Sequence, residues 1–130
     1  MLGDLFAQCT GGHCQVVGVV DGAGEQVPQP VDFISVDVSF ISLTLVLPAC
    51  MTWLKPGGLV ATLIKPQFEL GPGETVKGVV RDEEARQRAV KKILAFSEAN
   101  LNLRCRGVLP AAIKGPKGNQ EYMALFVRQS

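Results

Sequence analysis

Three charged residues, Asp37, Lys65 and Glu121, stand where predicted strands meet loops, and their types suit proton transfer. Asp37 and Lys65 follow runs of β-branched and aliphatic residues at positions 31–36 and 59–64, which is the pattern of a buried strand. Glu121 opens a further run of this kind. A lysine and carboxylates that lie close together can accept, donate or orient a proton. These three residues are therefore the candidate site residues.

The elements that would position them alternate along the chain. From residue 31 onward, four strands and two helices are predicted, with strands at 31–37, 59–64, 103–109 and 121–128 and helices running to about residue 54 and from 83 to about 100. Ser39 or Ser42 would cap the first helix, and Asp82 the second. Strands joined through a helix must be parallel, whereas the short turn-rich link before the last strand predicts an antiparallel hairpin. The chain is thus predicted to be an α/β protein holding the carboxyl-terminal part of a doubly wound sheet.

This topology predicts that the three residues meet at one edge of the sheet. Asp37 and Lys65 would lie at the carboxyl ends of parallel strands, where open α/β sheets bind ligands. Glu121 begins a strand that runs the opposite way, so it would lie at the same edge. Each residue has a simpler explanation, since Asp37 would serve as a helix cap and the other two as solvated surface groups. Their convergence favours a site.

Composition excludes few functions, but it indicates a globular domain without a strong overall charge. The 130 residues carry a net charge of +1, with 47% hydrophobic and 19% charged residues, as is ordinary for a globular domain. RNA contact would therefore need a local basic patch rather than a global field. The longest apolar run, residues 41–51, is too short to span a bilayer, and no signal peptide pattern is visible. We expect a cytoplasmic protein with no membrane partner.

Residues 1–30 are the least regular part of the sequence. Residues 1–8 suggest a short amphipathic turn, residues 15–20 a strand, and the following glycines and prolines a loop. Cys9, His13 and Cys14 lie within six positions of one another. A zinc site normally needs a second pair of ligands, so unpaired thiols are favoured over zinc and no metal is expected.

Five motifs, taken in order, carry a family resemblance. They are DVSFISL at 37–43, LKPGG at 54–58, IKPQFE at 64–69, KGVVRD at 77–82 and IKGPKGNQEY at 113–122. Together they resemble the TlyA family of ribosomal-RNA methyltransferases, often labelled haemolysins, and more broadly the FtsJ-like 2′-O-methyltransferases. LKPGG alone is common among methyltransferases, whereas the ordered set is specific. The resemblance covers about residues 31–128.

The resemblance implies a Rossmann-like methyltransferase fold that uses S-adenosylmethionine to methylate a ribose 2′-hydroxyl of ribosomal RNA, at cytidine. Residues 31–130 would form a partial FtsJ-like domain, and residues 1–30 a divergent or truncated segment. Asp37, Lys65 and Glu121 match the family's catalytic aspartate, second lysine and glutamate, with Lys65 as the base. Asp37 would also contact the cofactor. Phe40 would line its adenine or, alternatively, pack under the helix.

The resemblance also suggests where RNA would bind. Lys114 and Lys117, in the GPKGN turn, would contact phosphate as point charges, or would be ordinary solvated lysines. The glycine-rich loop that carries Lys77 and Arg81 would be a substrate flap or a mobile surface loop. The ribosomal subunit is the expected partner.

Two features of the family are not recognised in residues 1–30, namely the first catalytic lysine and the glycine-rich cofactor loop. Two interpretations follow. The chain is a partial copy of an RNA 2′-O-methyltransferase, or it is a catalytically inactive relative that serves as a binding or partner protein. A sheet lacking its first strands would expose an edge and apolar faces, so a homo-oligomer is expected through the exposed edge. A membrane-lytic activity has no support in the sequence.

Overall fold

A computed structural model describes residues 4–8, 14–17 and 30–129, the first two stretches by their backbone. It contains six strands and two α-helices. In chain order these are β1 (Asp4–Gln8), β2 (Cys14–Val17), β3 (Val31–Asp37), α1 (Leu43–Cys50), β4 (Leu54–Ile64), α2 (Glu83–Asn100), β5 (Leu103–Pro110) and β6 (Tyr122–Arg128). Short 3-10 turns follow β4 and precede β6.

The strands form one sheet in the order β2-β1-β3-β4-β6-β5. The helical crossover through α1 makes β3 and β4 parallel, because a chain that returns through a helix starts each strand at the same edge. The last strand, β6, is inserted between β4 and β5 and is antiparallel to both. The predicted α/β class and the final antiparallel hairpin are therefore confirmed.

The amino-terminal prediction was wrong in one respect. Residues 4–8 form strand β1, not an amphipathic turn, and β1 pairs antiparallel with β3. This pairing satisfies backbone groups on the otherwise open side of β3. The predicted strand at 15–20 is confirmed for residues 15–17, which lie in β2. Residues 18–20 and the predicted loop from 22 to 29 fall outside the described residues, as do Cys9, His13 and the side chain of Cys14.

Helix α1 ends earlier than predicted. Ser42 caps it, since its side chain accepts a hydrogen bond from the Thr44 N–H at 3.1 Å. The helix stops at Cys50 and contains Pro48, which cannot donate the hydrogen bond to the carbonyl four residues earlier. Leu54 instead begins β4 and pairs with Val31, so the LKPGG motif lies inside the strand.

The core lies between one face of the sheet and the two helices. Helix α2 begins after Asp82 as predicted, with the Asp82 carboxylate accepting from the Glu84 N–H at 3.2 Å. It packs against β5, β4 and α1. The fully buried hydrophobic residues of this core are Val31, Ile34, Leu47, Cys50, Val60, Ile64, Ala89, Ile93, Ala124 and Phe126. In the part of the chain that the structure describes, no helix has the length and hydropathy needed to cross a membrane.

Candidate active site

Lys65 and Asp37 form an ion pair at the carboxyl ends of β4 and β3. Lys65 Nζ lies 2.5 Å from Asp37 Oδ1 and also donates to Ser39 Oγ at 3.0 Å. The lysine side chain is only 11% exposed, whereas that of the aspartate is 55% exposed. The pair thus joins a nearly buried ammonium to a carboxylate that faces solvent.

Local sequence explains why these side chains meet. Asp37 is the last residue of β3, and Lys65 follows the last residue of the neighbouring parallel strand. Lys65 precedes Pro66, and a proline restricts the residue before it to extended conformations. Its backbone is extended accordingly, with φ −114° and ψ 97°. The chain then turns away through the 3-10 turn Pro66–Phe68, which leaves the lysine at the strand end.

Glu121 lies at the same edge, as the topology predicts. The last paired residues of β4 and β6 are Ile64 and Tyr122, so Lys65 and Glu121 occupy the next positions of these adjacent strands. Glu121 is 6% exposed, and its Oε2 accepts a hydrogen bond from Gln67 Nε2 at 2.9 Å. Gly115 leaves room for this carboxylate, because a Cβ there would overlap it.

Glu69 is a buried carboxylate that the sequence interpretation missed. Its side chain is 2% exposed and accepts from Ser42 Oγ at 2.6 Å and from the Leu43 N–H at 2.8 Å. Lys92 of α2 donates to the same carboxylate at 3.1 Å. Glu69 therefore ties the segment after Lys65 to the start of α1, which follows Asp37.

Gln67 was missed for the same reason as Glu69. Both residues belong to the IKPQFE motif, which was the available signal. Their partners, however, lie 54 and 26 to 27 positions away in sequence. Only the fold brings those partners within hydrogen-bonding distance.

Phe40 does not pack under the helix. It is 75% exposed, and its φ of 64° places the backbone in the left-handed region, which few residues other than glycine adopt. Its ring contacts that of Phe68, with centroids 4.8 Å apart. The alternative of an adenine contact stays a prediction, and the exposed ring is sterically available for it.

Lys114 and Lys117 are both exposed. Lys117 Nζ donates to the Lys77 carbonyl at 3.1 Å, which connects the GPKGN turn to the glycine-rich loop.

Among the described residues, no group of three or more His, Cys, Asp or Glu side chains is arranged to hold a metal ion. The assembled groups are an amine, carboxylates, hydroxyls and an aromatic pair of which Phe40 is exposed, a set suited to acid–base and positioning chemistry.

Comparison with known proteins gives the family. FtsJ-like methyltransferases match residues 6–128. YqxC of Bacillus subtilis (strain 168), provisionally named an rRNA methyltransferase, is 43% identical over 94 residues, which cover 71% of this chain and 33% of YqxC. The 16S/23S rRNA (cytidine-2′-O)-methyltransferase TlyA of Mycobacterium tuberculosis (strain CDC 1551 / Oshkosh) is 39% identical over 93 residues, covering 71% of this chain and 34% of TlyA. The chain thus spans about a third of the length of these relatives.

Similar solved structures support the same family and fold. A crystal structure of a provisionally named hemolysin from Lactococcus lactis superposes with a TM-score of 0.75 at 37% identity, covering 78% of this chain and 49% of that one. An O-methyltransferase from Bacillus cereus, solved in complex with SAH, has a TM-score of 0.51 at 16% identity and covers 85% of this chain and 48% of that one. The latter likeness shows the Rossmann-like methyltransferase fold alone. With the match over residues 6–128, the chain belongs to the FtsJ-like methyltransferase family.

Proposed function

We propose that this chain carries part of the active site of an S-adenosylmethionine-dependent 2′-O-methyltransferase that acts on cytidine in ribosomal RNA. The observation that carries the proposal is the Lys65–Asp37 pair at 2.5 Å, with the lysine only 11% exposed. It lies at the sheet edge where open α/β proteins bind ligands. The similarity to YqxC and TlyA supports RNA as the substrate class. The division into a segment 1–30 and a partial domain 31–130 remains part of the proposal.

The exposed groups at this edge fit the proposed cofactor. Asp37 presents a solvent-facing carboxylate, which suits an amino or hydroxyl group. Phe40, whose ring makes a tilted contact with that of Phe68, presents a flat apolar surface of the kind that a purine contacts. The cofactor, when bound, would supply an electrophilic methyl group on a sulfonium. Asp37 and Phe40 would hold it, and their part is positioning.

Lys65 is the group we assign to the ribose proton. In its ion pair with Asp37 the ammonium is a hydrogen-bond donor, so it can act as a base only after it has lost a proton to solvent. The neutral amine would then accept the proton that the 2′-hydroxyl loses during methyl transfer. Ser39 would keep the amine oriented, since it already accepts from Nζ at 3.0 Å. Glu121, held by Gln67, would orient the hydroxyl or the lysine from the adjacent strand.

The proposed activity implies a binding partner and a location in the cell. A ribosomal RNA or ribosomal subunit would be the partner, Lys114 and Lys117 would contact its phosphates, and the protein would act in the cytoplasm. Self-association stays a proposal. The β5 edge bears the exposed residues Arg104 and Arg106 and ends at Pro110, features that oppose strand pairing between molecules. A homo-oligomer formed by strand pairing would therefore not use the β5 edge.

Titration calorimetry with S-adenosylmethionine tests the cofactor part of the proposal. Binding is the expected result, and no heat at millimolar cofactor would contradict it. Transfer of a labelled methyl group to ribosomal RNA, followed by mapping of the modified nucleotide, tests the reaction. Label on a base rather than on a 2′-oxygen would contradict the assigned chemistry.

The alternative of a catalytically inactive binding or partner protein is tested by the same pair of experiments. Cofactor or RNA binding without any methyl transfer would favour that alternative. Transfer that requires Lys65 would exclude it.

A further inference from the structure

The glycine-rich loop, residues 70–81, and the GPKGN turn, residues 113–120, are locked together by one buried side chain. Asn119 is 2% exposed. Its Oδ1 accepts from the Val80 N–H at 2.9 Å, and its Nδ2 donates to the Gly78 carbonyl at 2.9 Å. A buried amide that satisfies both a donor and an acceptor of another loop fixes that loop's position strongly, because losing it leaves two polar backbone groups unpaired.

The locked part of the glycine-rich loop is a tight hairpin. Val76 and Val79 exchange backbone hydrogen bonds at 2.8 and 3.0 Å. The two residues between them, Lys77 and Gly78, both have positive φ, at 52° and 80°, as in the two-residue turns that favour glycine. Lys117 Nζ donates to the Lys77 carbonyl, so the turn contacts the hairpin at its tip as well as at its base. These contacts favour a fixed position for residues 76–80 over an ordinary mobile loop.

The two joined segments present a concentration of positive charge. Lys77, Arg81, Lys114 and Lys117 are all exposed, in a chain whose net charge is only +1. Most of the nearby acids have partners of their own. Glu74 pairs with Arg88 and Glu83 with Arg86, the Asp82 carboxylate caps α2, and Glu121 is buried against Gln67. Glu84, in the first turn of α2, is an exposed acid that adds negative charge near these cations.

We propose that residues 70–81 and 113–120 form one preformed basic surface, here called the two-loop surface, that binds the phosphate backbone of RNA, and that Asn119 is its positioning residue. Asn119 lies two positions before Glu121, so the surface continues directly into the candidate active site. Holding the cations in place before binding reduces the ordering cost that flexible loops would incur on association. The inference rests on the RNA substrate of the proposed function, but it requires neither cofactor nor methyl transfer.

The test of the surface is the binding of a fluorescein-labelled single-stranded RNA oligonucleotide, followed by anisotropy across a salt series. The double variant Lys77→Gln/Lys117→Gln should weaken binding about tenfold and reduce the slope of log K against log salt by about 0.7 for each lost phosphate contact. Lys91→Gln, on the exposed face of α2, is the matched control and should bind like the wild type. Absence of RNA binding by the wild type, or an equal loss in the control, would overturn the proposal.

The test of the positioning role is Asn119→Ala, with Asn100→Ala as control. Asn100 is an exposed residue of α2 whose side chain bonds only within its own helix. Asn119→Ala should accelerate hydrogen exchange of the Val80 amide and weaken RNA binding about three- to tenfold, through ordering cost. Faster exchange with unchanged RNA affinity would show that Asn119 is merely structural and would overturn this part.

A second variant covers the case in which Asn119→Ala does not fold. Gly78→Ala strains the hairpin, since its φ is +80° and its Cβ would lie 3.2 Å from Lys117 Nζ, and it leaves Asn119 intact. It should weaken RNA binding in the same way, and wild-type affinity would contradict the proposal. Because cofactor binding is measured separately, a protein that binds RNA but not S-adenosylmethionine would disprove the proposed function and leave this surface standing.

Discussion

Two lysine–aspartate pairs join the parallel strands β3 and β4 at their opposite ends. The side of the sheet at their carboxyl ends is called the carboxyl edge, and the side at their amino ends the amino edge. At the carboxyl edge, Lys65 and Asp37 are 2.5 Å apart, and the lysine is 11% exposed. At the amino edge, Lys55 and Asp32 are 3.5 Å apart, and the lysine is 44% exposed. The residue types and the strands are the same, so the difference between the pairs comes from what surrounds each edge.

At the amino edge, hydrogen bonds and packing hold the ends of the strands against the chain that leaves α1. The Val31 N–H donates to the Trp53 carbonyl at 2.7 Å, and the Arg128 guanidinium donates to the Met51 carbonyl at 3.0 Å. Cys50 is fully buried there, at the end of α1. The surface pair Lys55–Asp32 adds little to such packing.

The carboxyl edge instead gathers polar groups whose neighbours hold them in place. Ser39 binds the lysine, Gln67 binds Glu121, and Glu69 fixes the start of α1. The carboxyl-edge pair thus differs from the amino-edge pair in that other elements shield its lysine and orient the groups around it. The following predictions test this contrast, beginning with the largest expected effect.

Lys65→Ala should lower methyl transfer by a factor on the order of 10² to 10⁴, the usual contribution of a positioned acid–base group, while cofactor affinity changes little. Lys55→Ala, which removes the other lysine of the comparison, should leave kcat and KM near wild type. Steady-state kinetics with labelled cofactor measures methyl transfer, and calorimetry measures cofactor affinity. Full activity in Lys65→Ala, or an equal loss in Lys55→Ala, would remove the distinction between the two edges.

Cys50 should be nearly inert to alkylation in the folded protein. Burial raises the pKa of its thiol from an ordinary 9.0 to about 12, so near neutral pH the reactive thiolate is roughly a thousandfold scarcer than for an ordinary cysteine. Its reaction rate should keep rising with pH until the medium approaches that raised pKa. Mass spectrometry after iodoacetamide treatment, with half-buried Cys105 as the internal comparison, measures this. Rapid labelling of Cys50 would show that the amino edge is open.

Glu69→Ala should destabilise the protein by about 2 to 3 kcal/mol, because it leaves the buried Leu43 N–H and the Ser42 hydroxyl without their acceptor. The Lys92 contact adds less, since that lysine is 44% exposed. Urea denaturation followed by circular dichroism measures the loss. Glu98→Ala, an exposed carboxylate of α2, is the control and should not change the midpoint. An unchanged midpoint for Glu69→Ala would mean that the carboxyl edge does not depend on this contact.

Lys55→Ala should change stability least, by at most about 0.5 kcal/mol, because both partners of its ion pair are more than one-third exposed and water screens them. The same urea titration at low and high salt detects any contribution. A larger, salt-dependent loss would mean that the amino-edge pair is more than a surface contact.

Local sequence correctly predicted those elements whose residue pattern lies entirely within the element itself. The β-branched run of β3 and the capped, amphipathic pattern of α2 both lie where expected, and Asp82 begins the helix as predicted. The end of α1 was misplaced because Leu54 joins a strand through its pairing with Val31, a contact that no local pattern contains. Strand β1 was missed although one of its partners, β2, is close in sequence; its other partner, β3, lies more than twenty residues away.

The candidate site divides in the same way. The sequence by itself determined that Asp37, Lys65 and Glu121 would share one edge, since parallel crossovers and a reversed last strand permit few other arrangements. Only the tertiary structure decided which groups support them. Gln67 and Glu69 gain their roles from partners dozens of residues away, as Asn119 does from Gly78 and Val80. The physical reason is that strand direction follows from local chain geometry, whereas hydrogen-bond partners depend on how separate elements pack.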